Sequence, residues 1–233
     1  MAENVDNYIL SKVSFKEIVD ERGISKDGWD FVIWTQNSRS IIPMSAIKNA
    51  ANFRNIPQVK LMGILNRDAG SDAATPGILR FTSPAQATAY FMLGETTKTS
   101  VAGKEHGRIR SPFTQPFFPR IHRLQAERFS EIARSMKGVE MWMMNTGFIG
   151  GDAQDVSAGR ALKIKIPHSS AMLEVMIEGK IRWQRDPDFG YEIANVNAPE
   201  NAMLLKQIPR EILNPRLLYE KQGRLKEYNA WVR

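Results

Sequence analysis

The chain has no cysteine, which excludes disulfides, thiolate metal sites and a cysteine nucleophile and agrees with a reducing compartment. Its apolar residues nowhere form the uninterrupted run of roughly 18 needed to cross a bilayer. The opening MAENVDNYIL is acidic where a secretory leader is basic. A cytoplasmic protein without a membrane segment is the expectation. Histidine is scarce: His106, His122 and His168 stand far apart, none four residues from a second ligand or within H-E-x-x-H. No bound metal is expected from them. G-x-S-x-G is missing, which removes the usual serine-hydrolase elbow. The stretch MWMMNTGFIGG, 141 to 151, ends in two glycines, yet Asp152 follows where a phosphate loop needs a lysine and a hydroxyl.

What is present is a chain of 233 residues with 42% hydrophobic content, enough for one sizeable core or two small ones. The net charge of +7 is unevenly placed. Between 104 and 137 stand Lys104, Arg108, Arg110, Arg120, Arg123, Arg128, Arg134 and Lys137 against Glu105, Glu127 and Glu131. Such a stretch attracts phosphate, of a nucleotide or of nucleic acid, or else forms a solvated face. Phe113, Phe117 and Phe118 sit among prolines as in a packed loop. No helix-turn-helix, zinc-finger or RNP pattern accompanies them, so nucleic acid is not the expected partner.

Patterning along the chain alternates helices and strands. KVSFKEIVDER, 12 to 22, reads as a helix stopped by Gly23, and Trp29 to Thr35 and VKLMGIL, 59 to 65, as strands. A turn-rich stretch, NRDAGSDAATPGILRF, follows from Asn66 to Phe81; loops of that length are commonly functional. Thr82 or Ser83 before Pro84 starts a helix to about Leu93, ended by Gly94. A second helix, Leu124 to Met136, turns Phe129, Ile132, Ala133 and Met136 to one face and stops at Gly138. VEMWMM is apolar on both faces and suits the middle of a covered sheet. RALKIKI, 160 to 166, alternates like an edge strand or a strand with one wet face, Ser169 or Ser170 caps a short helix, and the tail beyond Pro199 reads as mostly polar with a final helical segment. With no internal repeat, the order predicts an α/β fold built on a mixed sheet.

Among charged residues, Asp186 and Asp188 flank Pro187 in a turn and are expected as solvated caps. The cations are better candidates for chemistry. Arg39, in NSRSIIP between a strand and a proline turn, has the planar fork that grips phosphate, or is structural. The same pair of readings applies to Lys98, Arg160 and Lys165. TTKTSVAGKEHG, 96 to 107, has the composition of a phosphate loop without its ending.

Taken in order, several stretches resemble the C-terminal part of ATP-dependent phosphoenolpyruvate carboxykinases. NSRSIIP resembles that family's N-T-R-x-x-Y-P, and TSPAQATAYFMLG its helix beginning L-T-P-E-Q and ending F-L-S-G. TTKTSVAGKEHG is similar to T-A-K-x-A-G-T-E-x-G with two residues inserted, and PFFPRIH to P-F-L-P-L-H-P. MWMMNTGFIGG resembles W-L-V-N-T-G-W-x-G-G, with Phe148 in place of the usual tryptophan. DPDFGYEI and EILNPR resemble D-P-x-F-G-L-x-V and x-I-L-N-P-R. The collinear series covers residues 37 to 216.

The resemblance implies a nucleotide-binding domain over 37–216, preceded by a leading segment, 1–36, and followed by a helical tail, 217–233. It implies ATP as ligand, with residues 145 to 169 on the base-holding side and the phosphates resting elsewhere. Arg39 takes the role of the arginine that reaches the γ-phosphoryl group and the developing enolate. Arg160 and Ala161, in G-R-A where the family has G-K-R, stand at its adenine-site arginine. Ser169 replaces an adenine-contacting threonine, two residues further along than the family spacing. The family's P-loop, its Mg²⁺ and Mn²⁺ ligands and its oxaloacetate-binding arginine all precede the matched region, and none is in this sequence. The expectation is therefore a portion that does not turn over alone and pairs with a P-loop-containing half or chain. A non-catalytic interaction module is the alternative, and a nucleic-acid binder a weaker one.

Overall fold

The computed structural model describes residues 42–52, 54–55, 57–97, 108–115 and 121–232. The readings for 12–22 and 29–35, and the boundary at 36/37, lie outside them. The chain divides into two units, residues 1–58 with 98–107, and residues 59–97 with 108–233. In the first, the described residues carry one short 3₁₀ turn, Met44–Ala46, with no buried residue in it. The second carries the sheet and both layers of helices.

Its strands and helices run β1 (Leu61–Asn66), β2 (Ile78–Arg80), α1 (Pro84–Leu93), β3 (Glu95–Thr97), β4 (Arg108–Arg110), α2 (His122–Ser135), β5 (Glu140–Asn145), β6 (Phe148–Ile149), α3 (Ala153–Ser157), β7 (Leu162–Lys163), α4 (Ile166–Ile177), β8 (Trp183–Arg185) and β9 (Glu192–Ala194). Four short helices close it: α5 (Ala202–Leu205), α6 (Arg210–Leu213), α7 (Arg216–Lys221) and α8 (Leu225–Val232). The main sheet has the order β1-β5-β2-β9-β8. β1 and β5 are parallel, and every other pairing is antiparallel, so the sheet is mixed.

Period-two alternation sorts the strand residues between two cores. Ile78, Met144 and Ala194 face one layer with Met172, Ile212 and Leu213. Leu79, Met141, Met143 and Ile193 face the other with Ala87, Ala133 and Tyr191. β5 lies inside the sheet and is covered on both sides, as its apolar centre, Met141 to Met144, requires. Where Trp142 of β5 crosses β1 its partner is Gly63, and any Cβ there would enter the indole ring. On the second face α1 starts at Ser83, whose hydroxyl accepts the Gln86 N–H at 3.2 Å, with Pro84 in the first turn and Gly94 at the end. α1 meets α2 through Phe91 and Phe129, stacked 4.2 Å apart.

Four local expectations are corrected. RALKIKI is a strand only at Leu162–Lys163, paired with β6 in a separate two-stranded ribbon. Pro167 ends the extended run, because its fixed φ suits a helix start, and α4 begins at Ile166, ahead of both serines. Ser169 is therefore inside α4, its N–H donating to Lys165 O. The tail is not mostly polar: Leu204, Ile208, Ile212, Leu213, Leu218, Tyr219 and Tyr228 are buried. Pro199, Pro209, Pro215 and Gly223 divide it into helices too short to show a 3.6-residue period. The expected boundary at 216/217 falls within α7. Asp186 is not solvated either. It is 5% exposed, and its Oδ1 accepts the N–H groups of Asp188 and Phe189 at 3.0 and 2.8 Å, while Asp188 pairs with Arg216 at 2.9 Å. The turn is capped as expected, but its Phe189 ring packs on Tyr191 and Tyr228 and Asp186 is buried, so the cap is internal.

At the carboxyl ends of β1 and β5 two loops are tied together by one side chain. Asn145 is fully buried; its Oδ1 accepts the N–H groups of Asp68 and Gly147 at 3.0 and 2.8 Å, and its Nδ2 donates to Thr75 O and Phe148 O at 2.8 and 3.1 Å. Both acceptor sites and both donors of the carboxamide are used. Asp68 extends the tie: its carboxylate accepts from Ala74 and Thr75 N–H, and its carbonyl from Phe148 N–H. The loops lie so close that a Cβ on Gly147 would collide with the Asp68 backbone.

Asn145→Ala would strand two buried N–H groups and two carbonyls. A loss on the order of 3 kcal/mol in urea-denaturation stability is expected; a loss under about 1 kcal/mol would mean that water replaces the carboxamide. Burial raises the Asp186 pKa, partly opposed by its two backbone hydrogen bonds. The unfolded carboxyl loses its proton first, near pH 4, so stability falls as pH rises from there until the folded carboxyl has ionised. Asp186→Asn should flatten that fall in denaturation curves taken across this range; an unchanged slope would remove Asp186 as its cause.

Candidate nucleotide site

The loop that follows β5 leads into the β6–β7 ribbon and α3. Asp152, the residue that breaks the phosphate-loop pattern, is the N-cap of α3: its Oδ1 accepts Gln154 and Asp155 N–H at 2.8 and 3.3 Å, while Asp155 Oδ2 accepts Asp152 N–H at 3.1 Å. These carboxylates occupy the N–H groups that a phosphate would need. The glycine pair is a helix entry, not a phosphate cradle.

Arg160 follows α3, and its guanidinium is half-exposed. Nη2 donates to Glu227 of α8 at 3.2 Å, and Nε lies 4.0 Å from Asp155. Ala161 is buried beside it, and both backbone N–H groups donate to Asp155 O. The structure thus brings Arg160 and Ala161 together at the end of the ribbon. Ser169 is set apart in α4, and among the described residues no side-chain hydrogen bond joins it to that pair. Arg39, Lys98 and His106 lie outside the described residues. His168 accepts the Lys165 N–H at 3.3 Å across the start of α4. Burial and the nearby Lys165 lower its pKa.

Three residues not singled out from sequence shape the same region. Asn145 ties the loops. Lys163, on β7, donates to Thr146 O at 3.0 Å and lies 4.3 Å over the Phe148 ring, the position where the family pattern has tryptophan. Burial, then the charge of Arg67, lowers its pKa. Arg224 is nearly buried above Tyr219, and its guanidinium donates to Gly150 O, Arg160 O and Ser71 O at 3.0, 3.4 and 3.4 Å and to Glu227 at 2.9 Å. The N-T-G motif marks Asn145 and the alternation of β7 marks Lys163; no sequence pattern marks Arg224, which lies 153 positions from Ser71.

On the α1 face of the same sheet end a cavity of about 360 Å³ opens among Asn66, Asp68, Thr75, Tyr90, Phe189 and Tyr191. Ligands in open α/β sheets bind outside the carboxyl ends of parallel strands, which here are β1 and β5. Asn66 is buried in its wall, and its Oδ1 has no hydrogen-bond partner among the described residues. The Tyr90 hydroxyl is pushed up to about 12 by burial and by Asp186, so it stays a neutral donor. Among the described residues no group of three His, Cys, Asp or Glu side chains is placed to hold a metal ion, and no helix is long and apolar enough to cross a membrane.

The family model for phosphoenolpyruvate carboxykinase matches residues 14–200, starting upstream of the NSRSIIP motif. A phosphoenolpyruvate carboxykinase (ATP) of Rhodopseudomonas palustris strain BisB18 is 32% identical over 191 residues, covering 78% of this chain and 32% of the relative. That of strain TIE-1 is 31% identical over 220 residues, 91% of this chain and 36% of the relative. The Bradyrhizobium diazoefficiens protein is 31% identical over 194 residues, again 78% of this chain. The chain spans about a third of the length of the curated relatives it matches. Over most of its length, then, this chain belongs to the ATP-dependent phosphoenolpyruvate carboxykinase family.

Proposed function

We propose that this chain supplies the base-holding side of the nucleotide site of an ATP-dependent phosphoenolpyruvate carboxykinase. In the complete reaction oxaloacetate loses a carboxylate as CO₂, and the enolate oxygen left behind takes the γ-phosphoryl group of ATP, giving phosphoenolpyruvate and ADP. The reading places the protein in gluconeogenesis, in the cytoplasm. Mg²⁺ and Mn²⁺ would serve the complete enzyme, held by residues outside this chain. Those ions and a P-loop would come from a partner half or chain.

The observation that carries the reading is the doubly tied N-T-G loop at the carboxyl ends of two parallel strands, running into the β6–β7 ribbon, with Arg160 and Ala161 just ahead of its second strand. A base needs a rigid wall with few free polar groups, and this loop has its backbone hydrogen bonds committed internally. Arg39 would stabilise charge on the phosphoryl group in flight, as a fixed guanidinium does without reorganising. Phosphoryl transfer draws most of its acceleration from positioning and from metal and cationic charge. This portion alone lacks most of those groups.

Calorimetric titration of the purified chain with Mg-ATP should show saturable binding that weakens about fivefold in Arg160→Ala, a loss of about 1 kcal/mol. No heat from the unsubstituted chain would overturn the nucleotide reading for this portion. The same chain, given oxaloacetate, Mg-ATP and Mn²⁺, should form no phosphoenolpyruvate; turnover in that assay would overturn its dependence on a P-loop-bearing partner.

A further inference from the structure

The helix α8 reaches the Arg160 side chain. Glu227 accepts from Arg160 Nη2 at 3.2 Å and from Arg224 Nε at 2.9 Å, so one carboxylate bridges a half-exposed guanidinium and a nearly buried one. Arg224 in turn holds Gly150 O and Arg160 O, the two ends of the segment that contains α3, and Gln222 Nε2 donates to the same Arg160 carbonyl at 3.0 Å. The backbone and the side chain of Arg160 are therefore both fixed from residues 222–227.

The contact is made at the edge of the Arg160 guanidinium. Guanidinium N–H bonds point along the plane, so the hydrogen bond to Glu227 does not itself occupy a planar face, and such a face is a surface on which a purine can stack. A long side chain that is 46% exposed would otherwise lose much of its rotamer freedom on meeting a ligand. Holding it beforehand removes that cost.

We infer that Glu227 and Arg224 are positioning residues of the nucleotide site, setting the Arg160 guanidinium so that its face meets the base. The inference rests on the nucleotide reading above. It extends the site to α8, beyond residue 200 where the family match ends.

The test is a double-mutant cycle read by Mg-ATP titration on the full chain: unsubstituted, Glu227→Gln, Arg160→Ala and both together. Glu227→Gln is conservative and partly exposed, and equal thermal midpoints will check that each variant is folded. Glu227→Gln should weaken ATP binding about threefold, the range of a partly exposed ion pair. In the Arg160→Ala background it should change nothing further, which a general loosening of the tail would not reproduce. Arg224→Lys, which keeps the charge but loses the fork, should weaken ATP in the same direction. An unchanged affinity in Glu227→Gln, or equal losses with and without Arg160, would overturn the inference while leaving nucleotide binding intact. Absence of ATP binding to the unsubstituted chain would instead remove the nucleotide reading, and this inference with it.

Discussion

The end of the sheet where β1 and β5 finish depends on the carboxamide of Asn145. Two parallel strands finish side by side there, and each must release its chain into a loop whose peptide groups would otherwise face apolar neighbours. A buried amide with two acceptor sites and two donors satisfies N–H groups and carbonyls from both loops at once. No hydrophobic residue of similar volume could do that, and an aspartate would bring a buried charge and lose the donors. Such a network fixes one arrangement of the loops, because any slip breaks several bonds together.

Around that point the structure uses carboxylates and guanidiniums to close backbone groups. Asp68 covers Ala74 and Thr75, Asp152 and Asp155 cover the start of α3, and Arg224 covers three carbonyls. What remains is the outer side of the Arg160 guanidinium, half-exposed although paired with Glu227, and the unpartnered Asn66 Oδ1 in the wall of the neighbouring cavity. The α3 terminus illustrates the point, since a helix start of that kind attracts phosphate only when its own N–H groups are unclaimed.

Much of the sheet was legible in the sequence because its signals are local. The Met- and Trp-rich VEMWMM run, the Ser83-Pro84 start and the Gly94 and Gly138 stops each depend on neighbours within a turn or two. The N-T-G series likewise pointed to the family. The ribbon and the tail were not legible, for different reasons. In RALKIKI the alternation was genuine, but Pro167 outweighed it, and the two strand residues found their partner in β6 instead of the main sheet. In the tail, burial is set by contacts with residues far back in the chain: Ile212 O receives the Gly77 N–H at 2.7 Å, and the Tyr219 hydroxyl donates to Ala73 O at 3.0 Å. No window of residues 199–230 contains that information. Arg224 is the extreme case, an arginine in a charged stretch that is nearly buried because three distant carbonyls converge on it.

The reach of Arg224 bears on the order of events during synthesis. Ser71 and Gly150 leave the ribosome long before residue 224, and the contact that joins them spans 153 positions. The parallel pairing of β1 with β5 can form once residue 145 has emerged, but closing loops of such length is entropically slow and comes late. The segment from 150 to 160 must therefore wait for the final helix. Chains caught before that moment would present a formed sheet with an unfastened edge, the state in which a nascent domain most needs protection from its neighbours.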